Sequence, residues 1–113
     1  MKRPDSKTIA LPRLNNLRPT LESTALKLME EAGELGAAIG RFRGYDRSSE
    51  GKTQEAERAL ARGVARELLD VAQTAVTMMF VLEEQHGVTV EETLSQHIRK
   101  LVDKEYLKID EGL

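Results

Sequence analysis

Five carboxylates carry the chemistry this sequence offers: Glu30, Glu31 and Glu34 in one segment, Glu67 and Asp70 in another. On a helix, residues three and four apart share a face, so Glu31 projects with Glu34, and Glu67 with Asp70. Each like-charged pair costs about 0.2–0.5 kcal/mol on an exposed helix. These positions are less exposed than that. At roughly 100° per residue, Glu31 falls beside Ala38 and Phe42 at the edge of an apolar face, and Glu67 within about 20° of Leu60 and Met78. Desolvation therefore adds to the repulsion. The two pairs are also equidistant from Glu50 and Gly51. Helices folding back antiparallel around that point bring all four acids level beside apolar walls. Such a cluster calls for cations, and hard divalent ions such as Mg²⁺ take oxygen ligands. Either pair alone reads as solvated surface; both together, at one level, read as a metal site.

The elements that position them are helices. Ala, Glu, Lys, Leu and Arg make up 57 of the 113 residues, and the three prolines all lie within the first nineteen. That composition marks long helices. Residues 1–19 read as an irregular lead. A first helix starts after Thr20, an N-cap with Glu22 in the first turn. Its stripe is Leu21, Ala25, Leu28, Met29, Ala32, Leu35, Ile39 and Phe42, and it ends near Arg43 and Gly44. Residues 44–52 read as a polar loop. A second helical segment runs from about Thr53 to His86, stops at Gly87, and contains Gly63 as a possible break. It is apolar on most of its circumference from Val64 onward, which demands burial on several sides. As one helix it is about 51 Å long, more than a single small chain covers, so a partner chain is expected. A third helix opens with the capping box Thr89–Glu92, turns Leu94, Ile98, Leu101 and Val102 inward, and ends near Tyr106. Gly33, Gly36 and Gly40 are costly inside the first helix, and close helix approach is the natural compensation.

Several classes are excluded. There is no cysteine, so no disulfide framework, thiol nucleophile or Cys-ligated zinc exists. The most apolar stretch is interrupted by Arg66, Glu67 and Asp70, which rules out a membrane span. Residues 1–19 hold five basic groups against Asp5, while the remainder holds twelve basic against eighteen acidic groups. That balance disfavours binding to nucleic-acid duplexes. A cytoplasmic location is expected, with no membrane partner.

The linked motifs Glu30-Glu31-Ala32-Gly33-Glu34 and Glu67-Leu68-Leu69-Asp70 resemble those of the all-α, MazG-like nucleoside triphosphate pyrophosphohydrolases. The resemblance covers roughly residues 20–107, leaving 108–113 as a tail. It implies an all-α helical bundle completed by oligomerisation: a homodimer or homotetramer whose paired helices form four-helix bundles. It also implies Mg²⁺-dependent hydrolysis of (deoxy)nucleoside triphosphates to the monophosphate and pyrophosphate, an activity suited to cleaning nucleotide pools, with Mn²⁺ able to substitute. Carried onto this chain, Glu31, Glu34, Glu67 and Asp70 match the metal ligands. Glu30 and Glu31 take the catalytic positions. Lys27, Lys100 and Lys104 are the candidate phosphate contacts; for Lys27 an ion pair with Glu31 is an alternative, and for Lys104 a local pair with Asp103 or Glu105. The span between the motifs is longer than in compact members, and the lead lacks the aromatics that grip a base in relatives.

Two rival readings remain. One is a non-enzymatic helical oligomerisation module whose acids are surface. The other is a ferritin-like iron-binding bundle using Glu83-x-x-His86. Glu83 lies thirteen residues beyond Asp70, about 20 Å along a helix, so it cannot share a metal with the main cluster in one chain. His86, next to Gly87, fits a helix C-terminus.

Overall fold

A computed structural model of the chain describes residues 5–47 and 51–109. Among them every regular element is helical: α1 (Leu21–Arg47), α2 (Gln54–His86), a 3₁₀ turn over Val90–Thr93, and α3 (Leu94–Asp103). The all-α expectation holds. The Thr20 hydroxyl caps α1 by accepting from Ser23 N–H (3.0 Å), and Ser23 Oγ accepts in return from Thr20 N–H (2.9 Å). This reciprocal box satisfies two otherwise orphaned amides.

Helix α1 runs three residues past Gly44, beyond the expected stop. Gly44 has no left-handed φ, so the helix passes through it. Tyr45 supplies the reason: its hydroxyl accepts from Thr53 N–H (2.6 Å) and donates to Thr53 C=O (2.9 Å), tying the last turn to the start of α2. Lys52 Nζ also donates to Asp46 C=O. The expected loop 44–52 is thus helical at its start, and its residues 48–50 lie outside the described residues.

Helix α2 is continuous over 33 residues, and Gly63 does not break it. Thr53 caps it, accepting from Ala56 N–H at 3.0 Å. Gly87, at φ 66°, ends it by donating to Leu82 C=O, the left-handed stop glycine favours. Three links fix an antiparallel hairpin: Tyr45 with Thr53, the acids of both helices at mid-length, and Gln85 Nε2 donating to Pro19 C=O (3.0 Å).

The third helix departs from expectation. The Thr89 side chain makes no cap hydrogen bond, and Val90–Thr93 forms the 3₁₀ turn instead. Helix α3 then stops at Asp103 rather than Tyr106, closed by Glu105 at φ 62° and by Tyr106 and Leu107 amides donating to Leu101 C=O. It packs on the 3₁₀ turn before it, whereas α1 packs on α2. Of the residues expected to face inward, Ile98, Leu101 and Val102 are half-buried, whereas Leu94 is 53% exposed. Among the described residues only Ala38 and Val81 are buried apolar side chains. The radius of gyration is 18.3 Å, against about 13 Å for a compact chain of this length.

The lead is extended but not loose. Gln73 Nε2 donates to Pro12 C=O (2.9 Å), Arg13 pairs with Glu84, and the Arg13 guanidinium lies 5.1 Å from the Phe80 ring centroid. With Gln85 at Pro19, these anchors hold residues 12–19 as a strap along α2.

Candidate metal centre

The register of the hairpin brings the expected acids together. Glu31, Glu34, Glu67 and Asp70 each present a carboxylate oxygen, and the four oxygens lie within 4.8 Å of one another. Among the described residues this is the group able to hold a metal; Glu83 and His86 are not part of it. Glu31 is 5% exposed, Glu67 half-buried, and Glu34 and Asp70 open to solvent. The cluster therefore has a buried floor and an open mouth.

Its electrostatics are unresolved by the protein alone. Glu31 Oε2 and Glu67 Oε2 are buried without a hydrogen-bond partner, a costly state for carboxylate oxygens. The Glu34 carboxyl is pushed above the usual carboxylate range, first by the charge of Glu31, then by desolvation, then by the charge of Glu67. One cation answers part of this charge. Lys27 Nζ sits 3.1 Å from Glu31 Oε1 and 3.8 Å from Glu30 Oε2. The hydrogen bond to Glu31 and the charge of Glu30 raise the ammonium's pKa. All-oxygen donors in a tight group, two of them orphaned and buried, fit a hard divalent cation.

Beside the acids lies a cleft of about 390 Å³, bounded by Leu14, Leu17, Arg18 and Pro19 of the strap, by Lys27 and Glu31 of α1, and by Asp70 and Gln73 of α2. Three buried threonines line or adjoin it: Thr24, Thr74 and Thr77. Thr24 donates to Thr20 C=O (2.8 Å) and Thr74 to Asp70 C=O (3.0 Å), while Thr77 Oγ1 accepts from Gln73 Nε2 at 3.4 Å. Their hydroxyls are thus engaged on the helices, which makes their burial tolerable.

Not every expected residue joins this site. Glu30 lies outside the four-oxygen group and connects to it through Lys27. Lys100 and Lys104 do not border the cleft. Lys100 lines a shallow depression with Arg99 and Asp103, and Lys104 Nζ lies 6.0 Å from the Tyr106 ring centroid. Conversely, Arg18 and Gln73 border the cleft although their sequence context gave no sign of it. The only available signal was the pair Pro12 and Pro19, which stiffens the lead into a strap.

No curated protein and no solved structure matches the chain. A family model, the MazG nucleotide pyrophosphohydrolase domain, matches residues 19–105. That span contains both acidic motifs and the whole hairpin that sets them face to face, and on this match the chain belongs to the MazG nucleotide pyrophosphohydrolase domain family.

Proposed function

We propose that the protein hydrolyses (deoxy)nucleoside triphosphates to the monophosphate and pyrophosphate with Mg²⁺, as a homo-oligomer. The observation that carries this reading is the set of four converging carboxylates with two buried, unpartnered oxygens, opening onto a cleft. Glu31, Glu34, Glu67 and Asp70 would hold the metal. When bound, a divalent cation polarises a phosphoryl oxygen and screens a polyanionic substrate from the acids.

The remaining work falls to the chain's own groups. Glu30, outside the ligand set, is the candidate to orient and deprotonate the attacking water. Lys27 bridges Glu30 and Glu31 and lines the cleft. With Glu31 engaged in holding a metal, the Lys27 ammonium would be available to contact a phosphate in the cleft. Lys100 and Lys104 reach phosphates where oligomerisation carries α3 over a cleft. Between Pro19 and Thr77 the apolar strap wall accommodates the nucleoside and excludes water from one side of it.

Incubating the full chain with each of the eight common triphosphates and Mg²⁺, and resolving the products, tests the reading. Monophosphate and pyrophosphate are expected, with no turnover in EDTA. Diphosphate and inorganic phosphate as main products, or no turnover with any of the eight, overturn it.

A further inference from the structure

Two cations border the cleft beside the acids, Arg18 and Lys27, and they differ in standing. Lys27 Nζ lies 3.1 Å from Glu31 and 3.8 Å from Glu30. Among the described residues, the Arg18 side chain is without a hydrogen bond or ion pair. Arg13, the neighbouring cation of the strap, shows the contrast, since Glu84 and the Phe80 ring both engage it. Arg18 also borders a second cavity of about 540 Å³, which shares Leu14, Leu17 and Thr77 with the cleft. Its guanidinium thus belongs to the wall common to both spaces.

The backbone that carries this unengaged side chain is nonetheless fixed. Pro19 restricts the residue before it to extended conformations. The Pro19 carbonyl accepts from Gln85 Nε2 at 3.0 Å, and Thr20 enters the capping box of α1. An arginine on anchored backbone loses less freedom on meeting a ligand than one on a loose chain. The family match begins at residue 19, so membership in the family gives Arg18 no role.

We propose, resting on the hydrolytic reading above for the class of ligand, that Arg18 binds a phosphate group of the substrate as a contact supplied by the strap. The planar fork of a guanidinium matches two phosphate oxygens. Charge requires such a contact. A nucleoside triphosphate carries about four negative charges at neutral pH, and one divalent cation offsets about half of them. Glu31 and Asp70 border the same cleft and add repulsion. Lys27 already shares its charge with two carboxylates, and Lys100 and Lys104 do not border the cleft. Arg18 supplies the charge that no carboxylate of the chain already holds.

Calorimetric titration of the full chain in Mg²⁺ with pyrophosphate, and with each of the eight common nucleoside monophosphates, tests the contact in wild type, Arg18→Ala and Arg18→Lys. The two kinds of probe represent the two ends of the cleaved substrate, so they show which phosphate Arg18 meets. Arg18→Ala should weaken at least one probe about tenfold or more. Arg18→Lys should lose less, because it keeps the charge and gives up the fork. Wild-type affinity should also fall more steeply with salt than that of Arg18→Ala. Melting without metal should be unchanged, since Gln73, Gln85 and Arg13 anchor the strap. Equal affinities of wild type and Arg18→Ala for every probe, or no binding of any probe, overturn the contact. A lowered melting temperature in Arg18→Ala also overturns it, because Arg18 would then act by holding the strap. Turnover separates the two readings. A wild type that hydrolyses no triphosphate overturns the hydrolytic reading, while the titrations still decide Arg18. Turnover with KM unchanged in Arg18→Ala overturns the Arg18 contact alone.

Discussion

The α1–α2 hairpin and the Val90–Asp103 segment are built from the same material, amphipathic helix rich in Leu and charged side chains, yet they have different standing in the molecule. The hairpin helices have each other. Their shared seam buries Ala38 and Val81, but it also buries Glu31 and three threonines. Helix α3 has no fully buried residue, only the half-buried Ile98, Leu101 and Val102, and packs on its own leading turn. The contrast lies in what each region buries. Where two helices already supply a seam, an apolar residue at position 31 would be the stable choice. A carboxylate with an orphaned oxygen there is a cost that the proposed metal site would offset on binding.

The largest expected effect is at the seam. Glu67→Gln and Asp70→Asn should lower turnover by about 10²–10³-fold or more. Both should raise the melting temperature in EDTA, because each removes a repelling charge. Mn²⁺ or Mg²⁺ should stabilise the wild type by about 2.7 kcal/mol at a hundredfold excess over its Kd, and the variants much less. Melts of all three proteins with and without metal measure this. Unchanged apo melting in the variants, with no metal shift in wild type, would erase the distinction between the seam and ordinary surface.

Next in size is the packing difference. Val81→Ala, in the seam, should cost about 1–3 kcal/mol. Leu94→Ala, on α3, should stay within about 0.5 kcal/mol. Urea unfolding of the two variants compares them directly. An equal cost would mean that another subunit packs the Leu94 side chain in the assembled protein.

The smallest effect is in the pH dependence. The folded-state pKa of Glu34 is raised by its acidic neighbours. The folded protein thus binds more protons than the unfolded chain as pH falls through that raised value, and apo stability should rise over that interval. The contribution is complete below the unfolded carboxylate pKa and is lost as pH rises through the raised folded-state value. Glu34→Gln should flatten this part of the apo stability profile. Identical profiles for wild type and Glu34→Gln would show that the acids do not sense one another.

The sequence announced the hairpin and its acids because both rest on short-range regularity. The 3.6-residue period places Glu31 with Glu34 and Glu67 with Asp70, and the equal distance from Glu50 and Gly51 places the pairs together. Helix ends were less readable. Gly44 looks like a terminator, but the Tyr45 clasp to Thr53 outweighs a local glycine cost of about 1 kcal/mol. Thr89 and Glu92 form a capping-box pattern, but the backbone tightens into a 3₁₀ turn. The strap was unreadable for a different reason. Gln73, Gln85 and Arg13 act across 61, 66 and 71 residues, two of them on backbone carbonyls that leave no pattern in side-chain types. The placement of α3 fails likewise, since amphipathicity shows that a face needs a partner without showing which one.

The Tyr45 clasp has a practical side. One phenol oxygen closes the hairpin from Arg47 to Thr53 through both polar groups of the Thr53 backbone. The distance between the ends of the two helices therefore does not depend on what joins them. Lengthening that joint adds only about 0.6 kcal/mol of closure entropy per doubling. A fluorescent domain or affinity peptide spliced between Arg47 and Gly51 would leave the four carboxylates at the same level, offering a handle for following metal uptake in the assembled protein without touching either terminus.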